Sequence, residues 1–217
     1  MKLYLSSYRL GNHAVALKRL AHAEHARVAV IVNAVDNAPT EVRNDVLLRR
    51  ELQDMHDLGF SADEVDLRAY FGKDGLLEKL QRYDIVWVSG GNTFLLAKAY
   101  AQSGFDAVIE QLIKPGKLVY AGYSAAFCVI SPSLRGVELV DDPTVIAEGY
   151  NAETIWDSYG LIDFYPIVHF RSSHHESKLV EKEYNYVRAN DVPYKTFQDG
   201  DVYVVDGLSK TVLRANG

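Results

Sequence analysis

The stretch VYAGYSAAFCVISPS, Val119–Ser133, decides how the rest of the chain is read. It begins as a short apolar strand of the kind buried on both faces. It turns through Tyr123 and Ser124 and restarts as a helix. A serine at the tip of a strand-to-helix turn is presented for attack, and the helix behind it offers backbone N–H groups to whatever it attacks. Serine is also a common turn and N-cap residue, so the corner alone does not assign chemistry.

Working outward, short apolar strands alternate with amphipathic stretches. KLYLSS (Lys2–Ser7) precedes a helical pattern from Asn12 to His25, and RVAVIVNA (Arg27–Ala34) is nearly all apolar. A long helix opens at Pro39-Thr40: Val42, Leu47, Leu48, Leu52, Met55 and Leu58 recur at helical spacing, and Gly59 stands at its C-cap. EVDLR (Glu64–Arg68) reads as a strand, DGLLEKLQRY as a short helix and DIVWVSGG (Asp84–Gly91) as another buried strand. FLLAKAYAQSG and FDAVIEQLIKPG are helices closed near a glycine, and KLVYAGY (Lys117–Tyr123) delivers Ser124. This order predicts an α/β fold, a mostly parallel sheet with helices on both faces, in a single domain over residues 1–217.

Beyond Leu134 the chain is acidic, rich in turns and without period, as in a long surface excursion, a feature that is often functional. LIDFYPIVHF (Leu161–Phe170) returns as a strand, and HESKLVEKEYNYVRAN as a helix. PYKTFQDGDVYVVDG reads as two strands joined by a hairpin at Asp199-Gly200, and KTVLRA as a last strand.

Composition bounds the function. The 217 residues are 48% hydrophobic and 24% charged, with a formal net charge of −6, which argues against nucleic acid or an anionic membrane as a partner. No apolar run reaches the ~18 residues of a membrane span, and MKLYLSSYRLGNH lacks the apolar core of a signal peptide. Cys128 is the single cysteine, so no intrachain disulfide or cysteine metal cluster is expected, and a cytoplasmic location is the simplest expectation.

Three loops fall at the carboxyl ends of strands, where parallel sheets bind ligands. Ser89-Gly90-Gly91-Asn92-Thr93 allows close backbone approach ahead of a helix N-terminus, or is an ordinary capped turn. Gly122-Tyr123-Ser124-Ala125-Ala126 fits a small-x-Ser-x-small elbow, and His169 ends an apolar strand. A serine nucleophile needs a base and an acid to orient that base. Nucleophile-elbow hydrolases use the order serine, acid, histidine, which directs attention to Asp141 and Asp142 before Pro143, with Glu148 and Asp157 as further candidates. His174-His175-Glu176 reads as a solvated helix start, since the i,i+4 ligand pair of a helical metal site is missing. Cys128 reads as a small core residue.

Together VSGGNTFLL, YAGYSAAFCVISPS and LIDFYPIVHF resemble the peptidase E family of serine peptidases, which includes aspartyl dipeptidases and, more distantly, cyanophycinases. The resemblance implies a flavodoxin-like three-layer sandwich similar to class I glutamine amidotransferases, and a Ser-His-Asp/Glu triad. Ser124 matches the nucleophile, His169 the base, Asp141 or Asp142 the acid, and Gly91 and Ala125 the oxyanion-hole positions. The family's arginine that reads a substrate carboxylate falls near Lys178. Three departures stand out: Ala126 replaces the usual glycine, Pro166 does not directly precede His169, and lysine replaces the bidentate arginine. The expectation is a serine peptidase acting on small peptides, with a loose preference for an acidic N-terminal residue and no cofactor or metal. Another acyl hydrolase, or a weakly active member binding a small acidic ligand, remain as alternatives, and homo-oligomer formation is left open.

Overall fold

Five short segments, four of them largely apolar, lie side by side and parallel in the computed structural model, which describes residues 1–22 and 25–216. They are β1 (Lys2–Ser6), β2 (Arg27–Ile31), β3 (Ser61–Glu64), β4 (Ile85–Val88) and β5 (Val119–Tyr123), in the order β3-β2-β4-β5-β1. Strands β6 (Tyr165–Ile167) and β7 (Tyr194–Thr196) form a separate two-stranded parallel ribbon. Strands β8 (Val202–Asp206) and β9 (Ser209–Leu213) continue the main sheet antiparallel, beyond β1.

Alternation along the central strands sends side chains to two separate cores. Leu3, Leu5, Ala29, Ile31, Val86, Val88 and Tyr120 face one layer, and Tyr4, Val28, Val30, Trp87, Val119 and Ala121 face the other. The second layer is closed by Leu17 and Leu20 of α1 (Ala14–Ala21) and Met55 of α2 (Arg49–Asp57). The first is closed by α3 (Leu76–Leu80), α4 (Thr93–Ser103), α5 (Phe105–Ile113), α6 (Ala125–Cys128) and α7 (Ser177–Ala189). Each fully buried aliphatic or aromatic side chain contributes ~1.5–3 kcal/mol. This is the α/β, mostly parallel architecture with helices on both faces that the sequence predicts.

The expected helix Asn12–His25 is observed over Ala14–Ala21, and residues 23 and 24 lie outside the described residues. The long helix after Pro39 opens at Thr40, passes through a π-helical segment, Val42–Leu48, and continues as α2.

Three expectations are corrected. The strand placed at Glu64–Arg68 is β3, ending at Glu64; the Asp66 carboxylate instead caps a 3-10 turn, Leu67–Tyr70, by accepting from Arg68 N–H at 3.0 Å. Leu161–Phe170 contributes only Tyr165–Ile167 as strand and never joins the main sheet. Asp199-Gly200 is not a hairpin: β7 pairs with β6 and β8 with β1, so the residues between them cross from the ribbon to the main sheet. The true hairpin joins β8 and β9 through Gly207-Leu208.

The excursion after Leu134 is irregular apart from a 3-10 turn at Val137–Leu139, yet it is tied to α4. Lys98 of α4 is buried, and its ammonium donates to the Val145 carbonyl at 3.1 Å. Burial lowers its pKa. Gln102 donates to the Gly149 carbonyl and accepts from Asn151 N–H. These bonds satisfy backbone groups that would otherwise be lost to irregular chain.

Candidate active site

Strand β5 ends at Tyr123, and the backbone then reverses within one residue. Ser124 has φ 51° and ψ −109°, a strained conformation for a residue with a side chain. The strain is held by the elements on either side, β5 and α6, both buried. Close approach here needs Gly122: a Cβ on it would lie 2.4 Å from the Val88 oxygen and 2.7 Å from the Ala126 Cβ. The methyl of Ala126 therefore occupies space left by Gly122.

His169 sits just past β6 in a second left-handed corner, φ 54°. Its Nε2 lies 3.2 Å from Ser124 Oγ, and its Nδ1 lies 2.7 Å from Asp199 Oδ1. Asp199 comes from the crossing between β7 and β8. Ser7, at the end of β1, organises this side: its hydroxyl accepts from His169 N–H at 2.8 Å. The same hydroxyl lies 3.2 Å from both the Phe197 carbonyl oxygen and Asp199 Oδ1, either of which can take its one proton. Ser172 Oγ accepts from Asp199 N–H at 2.8 Å. Burial opposes ionisation of Asp199, but the His169 hydrogen bond and charge, with His174 and Ser7, outweigh it and hold the carboxyl below its ordinary pKa.

The imidazole of His169 is buried beneath an aromatic wall. His174 stacks on it at 3.8 Å between ring centres, and Tyr8 meets both rings edge-on at 5.7 and 5.2 Å. Burial, followed by the nearness of His169, lowers the His174 pKa, which favours a neutral ring. A cavity of about 410 Å³ opens over this group and is also lined by Gly90, Gly91, Tyr123, Asp141 and Glu176.

The amide N–H groups of Gly91 and Ala125 donate to no acceptor among the described residues, unlike the neighbouring Asn92 N–H, which donates to the Ala34 carbonyl at 2.8 Å. Gly91 has φ 144°, and a Cβ there would lie 2.5 Å from the Ala34 oxygen. This position requires glycine.

The structure thus brings together Ser124, His169 and Gly91, with Ala125 next to the serine. It does not bring the expected acids to the imidazole. Asp141 lines the cavity, but its Oδ2 accepts from Thr93 N–H at 2.8 Å, so it serves the N-terminus of α4 beside the cap Asn92. Burial pushes its pKa up to about 6 against the Thr93 hydrogen bonds. Asp142 is exposed, and its carboxylate is spent on Thr144 N–H and Oγ1 within a local turn. Glu148 and Asp157 are exposed. Lys178 is also exposed and does not line the cavity, because it lies on the outward side of the first turn of α7. His174 and Glu176, expected as a solvated helix start, line the cavity instead. Asp199, which the sequence places in a turn with Gly200, is the acid that sequence reasoning misses. The available signal was an acidic residue in a Gln198-Asp199-Gly200-Asp201 loop directly before the apolar run Val202–Val205, in the alternative order serine, histidine, acid.

The sequence profile of peptidase family S51 matches residues 12–212. An uncharacterized peptidase of Listeria innocua, Lin0382, is 30% identical over 118 residues, 54% of either chain. A peptidase E of Streptomyces coelicolor is 30% identical over 148 residues, 66% of this chain and 57% of that protein. The chain spans about half the length of the curated relatives it matches. A crystal structure described as a peptidase E protein from Listeria monocytogenes EGD-e superposes with a TM-score of 0.76 over 98% of both chains at 20% identity, a likeness of fold.

Proposed function

The chain belongs to peptidase family S51, and from that premise we propose that it is a serine peptidase that hydrolyses small peptides through Ser124, His169 and Asp199. The observation that carries this reading is the continuous chain of contacts from Ser124 Oγ through both His169 nitrogens to Asp199, at 3.2 and 2.7 Å, beginning at a strained elbow.

Each group has a role that its surroundings support. His169 Nδ1–H donates to the Asp199 carboxylate, which leaves Nε2 unprotonated and facing the serine. Ser124 Oγ attacks the scissile carbonyl carbon while Nε2 takes its proton. Asp199 stabilises the imidazolium that results, and its depressed pKa keeps it charged for that task. The free N–H groups of Gly91 and Ala125 receive the oxyanion, a contribution of about 3–4 kcal/mol per donor. The imidazolium then gives its proton to the leaving amine, and the C–N bond breaks to leave an acyl-Ser124. Water, deprotonated by His169, releases the acid product. The packing of Tyr8 and His174 on His169 fixes the imidazole against rotation during both transfers.

The test is turnover of a dipeptide panel followed by mass spectrometry of the released amino acids. The wild type is expected to cleave at least one class of dipeptide, and Ser124→Ala to lose on the order of 10⁴–10⁶ in rate. A folded Ser124→Ala variant retaining a tenth of the activity would refute the assignment.

A further inference from the structure

One motif is left over from the triad. His174-His175-Glu176 lies in the turn that leads into α7, closed by Ser177 N–H donating to the His174 carbonyl at 3.1 Å. That turn puts His174 and Glu176 in the wall of the cavity, with His174 against His169. The i,i+4 spacing of a helical metal site is absent because the third donor comes from another element, the corner after β6.

One ligand atom from each of His169, His174 and Glu176 lies within 4.8 Å of the other two. His174 Nδ1 is 3.5 Å from a Glu176 carboxylate oxygen. Ligand atoms on a tetrahedral zinc are about 3.3 Å apart, so this pair already stands near the required separation. The third donor has to close by at most about 1.5 Å. That movement is a tilt of the His174 and His169 rings, which are stacked with 10° between their planes. Each donor atom is available. Nδ1 of His169 is committed to Asp199, so the lone pair left for a metal is on Nε2, beside Ser124. His174 Nδ1 accepts only a long bond, 3.4 Å, from Glu176 N–H. Among the described residues the Glu176 carboxylate pairs with His174 and His175 and with no lysine or arginine.

The surrounding charge favours a cation. Asp141 lines the same cavity, and the cation that lines it, Arg50, is already paired with buried Glu51 at 2.8 Å. Two imidazoles and one carboxylate suit zinc, whereas magnesium and calcium take oxygen ligands. The side chains of His174 and Glu176 are 13% and 27% exposed, so an ion reaches them from the cavity without unfolding.

We propose that His169 Nε2, His174 Nδ1 and the Glu176 carboxylate bind one zinc ion, and that the bound ion switches Ser124 off; the second half rests on the peptidase reading above. The lone pair that takes the serine proton is the one the metal occupies, so zinc and general-base catalysis exclude each other at Nε2.

Binding is measured first, by calorimetric titration of chelator-treated Ser124→Ala protein with zinc chloride. One ion per chain is expected, with a Kd on the order of 1 μM or tighter. Glu176→Gln, His174→Asn and His169→Ala, each added to that protein, should weaken zinc binding at least about tenfold. Magnesium chloride should give no binding at the same concentrations. Next, wild type is labelled at Ser124 with an alkyl fluorophosphonate, with and without saturating zinc. Labelling should slow at least about tenfold and recover when the chelator is added. The same ratio in Glu176→Gln, taken against that variant's own zinc-free rate, should approach one at a zinc concentration that inhibits the wild type. No stoichiometric binding, or an affinity that none of the three substitutions lowers, overturns the site. If His169→Ala does not fold, the labelling ratio stands in its place, and labelling that zinc leaves unchanged or speeds removes His169 from the site and overturns the switch. The two readings fail separately: zinc binding that depends on Glu176 and His174, in a protein that takes up no phosphonate, sinks only the peptidase, and normal labelling in a protein that binds no zinc sinks only the metal site.

Discussion

Replacing Asp199 with asparagine isolates the charge behind His169. The side chain keeps its size, and its amide oxygen can still accept from Nδ1–H, so loss of packing is small. Two effects remain. The 2.7 Å contact becomes a neutral hydrogen bond, and the imidazolium formed in the transition state loses its counter-ion. If the amide NH₂ turns toward Nδ1 instead, the proton moves to Nε2, which can no longer accept from Ser124. Either outcome falls on the acylation step, with an expected loss of about 10³–10⁴ in kcat/KM, or about 4–5.5 kcal/mol of barrier. Asp141→Asn is the control. Asparagine can still accept from Thr93 N–H, so its helix-capping role survives and less than about a tenfold loss is expected. The assay is kcat/KM on one good dipeptide, with thermal unfolding to establish that both variants are folded. An Asp199→Asn enzyme within tenfold of wild type, beside an Asp141→Asn enzyme reduced a thousandfold, would move the acid to Asp141 and refute the geometric argument.

Two further predictions concern the scaffold. Gly122→Ala places a methyl 2.4 Å from the Val88 oxygen and 2.7 Å from the Ala126 Cβ, so it should destabilise the protein by about 1–3 kcal/mol in urea unfolding; an unchanged midpoint would mean that β5 and α6 are not in tight contact. Glu183 of α7 is buried and accepts from the Tyr165 hydroxyl at 2.7 Å, and burial first, with nearby Asp141, Glu138 and Glu176, raises its pKa from 4.5 to about 8. The folded state therefore holds this proton where the unfolded chain releases it, so the stability it contributes is complete below about pH 4.5 and is lost as pH rises toward 8. Glu183→Gln should leave stability little changed near pH 4.5 and gain on the wild type by up to about 1.4 kcal/mol per pH unit above it; a difference between the two proteins that does not vary with pH would refute the buried neutral acid.

Ser124 was legible because its signal is local: a buried strand, a small residue and a helix lie within fifteen consecutive positions. The alternating order of strands and helices likewise fixed the parallel sheet, since each central strand is apolar on both faces. His169 was found at the end of an apolar run, although that run joins a small ribbon and not the main sheet. Asp199 was missed because its place depends on pairing between distant segments. Nothing near Asp199-Gly200 distinguishes a hairpin from a crossing between β7 and β8, and Asp-Gly favours the hairpin reading. The order of parts in elbow hydrolases also points to an acid between Ser124 and His169. Arg50 and Tyr8 are further cases: each comes from an element far along the chain, and only the packed sheet brings them to one cavity.

The central claim is that Ser124 is a nucleophile activated by His169 and Asp199, and covalent capture tests it without any assumption about the substrate. The folded wild type is treated with an alkyl fluorophosphonate, and the adduct is located by intact mass and peptide mapping. The account predicts one adduct per chain, on Ser124, absent in Ser124→Ala and formed much more slowly in His169→Ala and Asp199→Asn. A folded wild type that takes up no phosphonate, or carries it on a residue other than Ser124, would contradict the account.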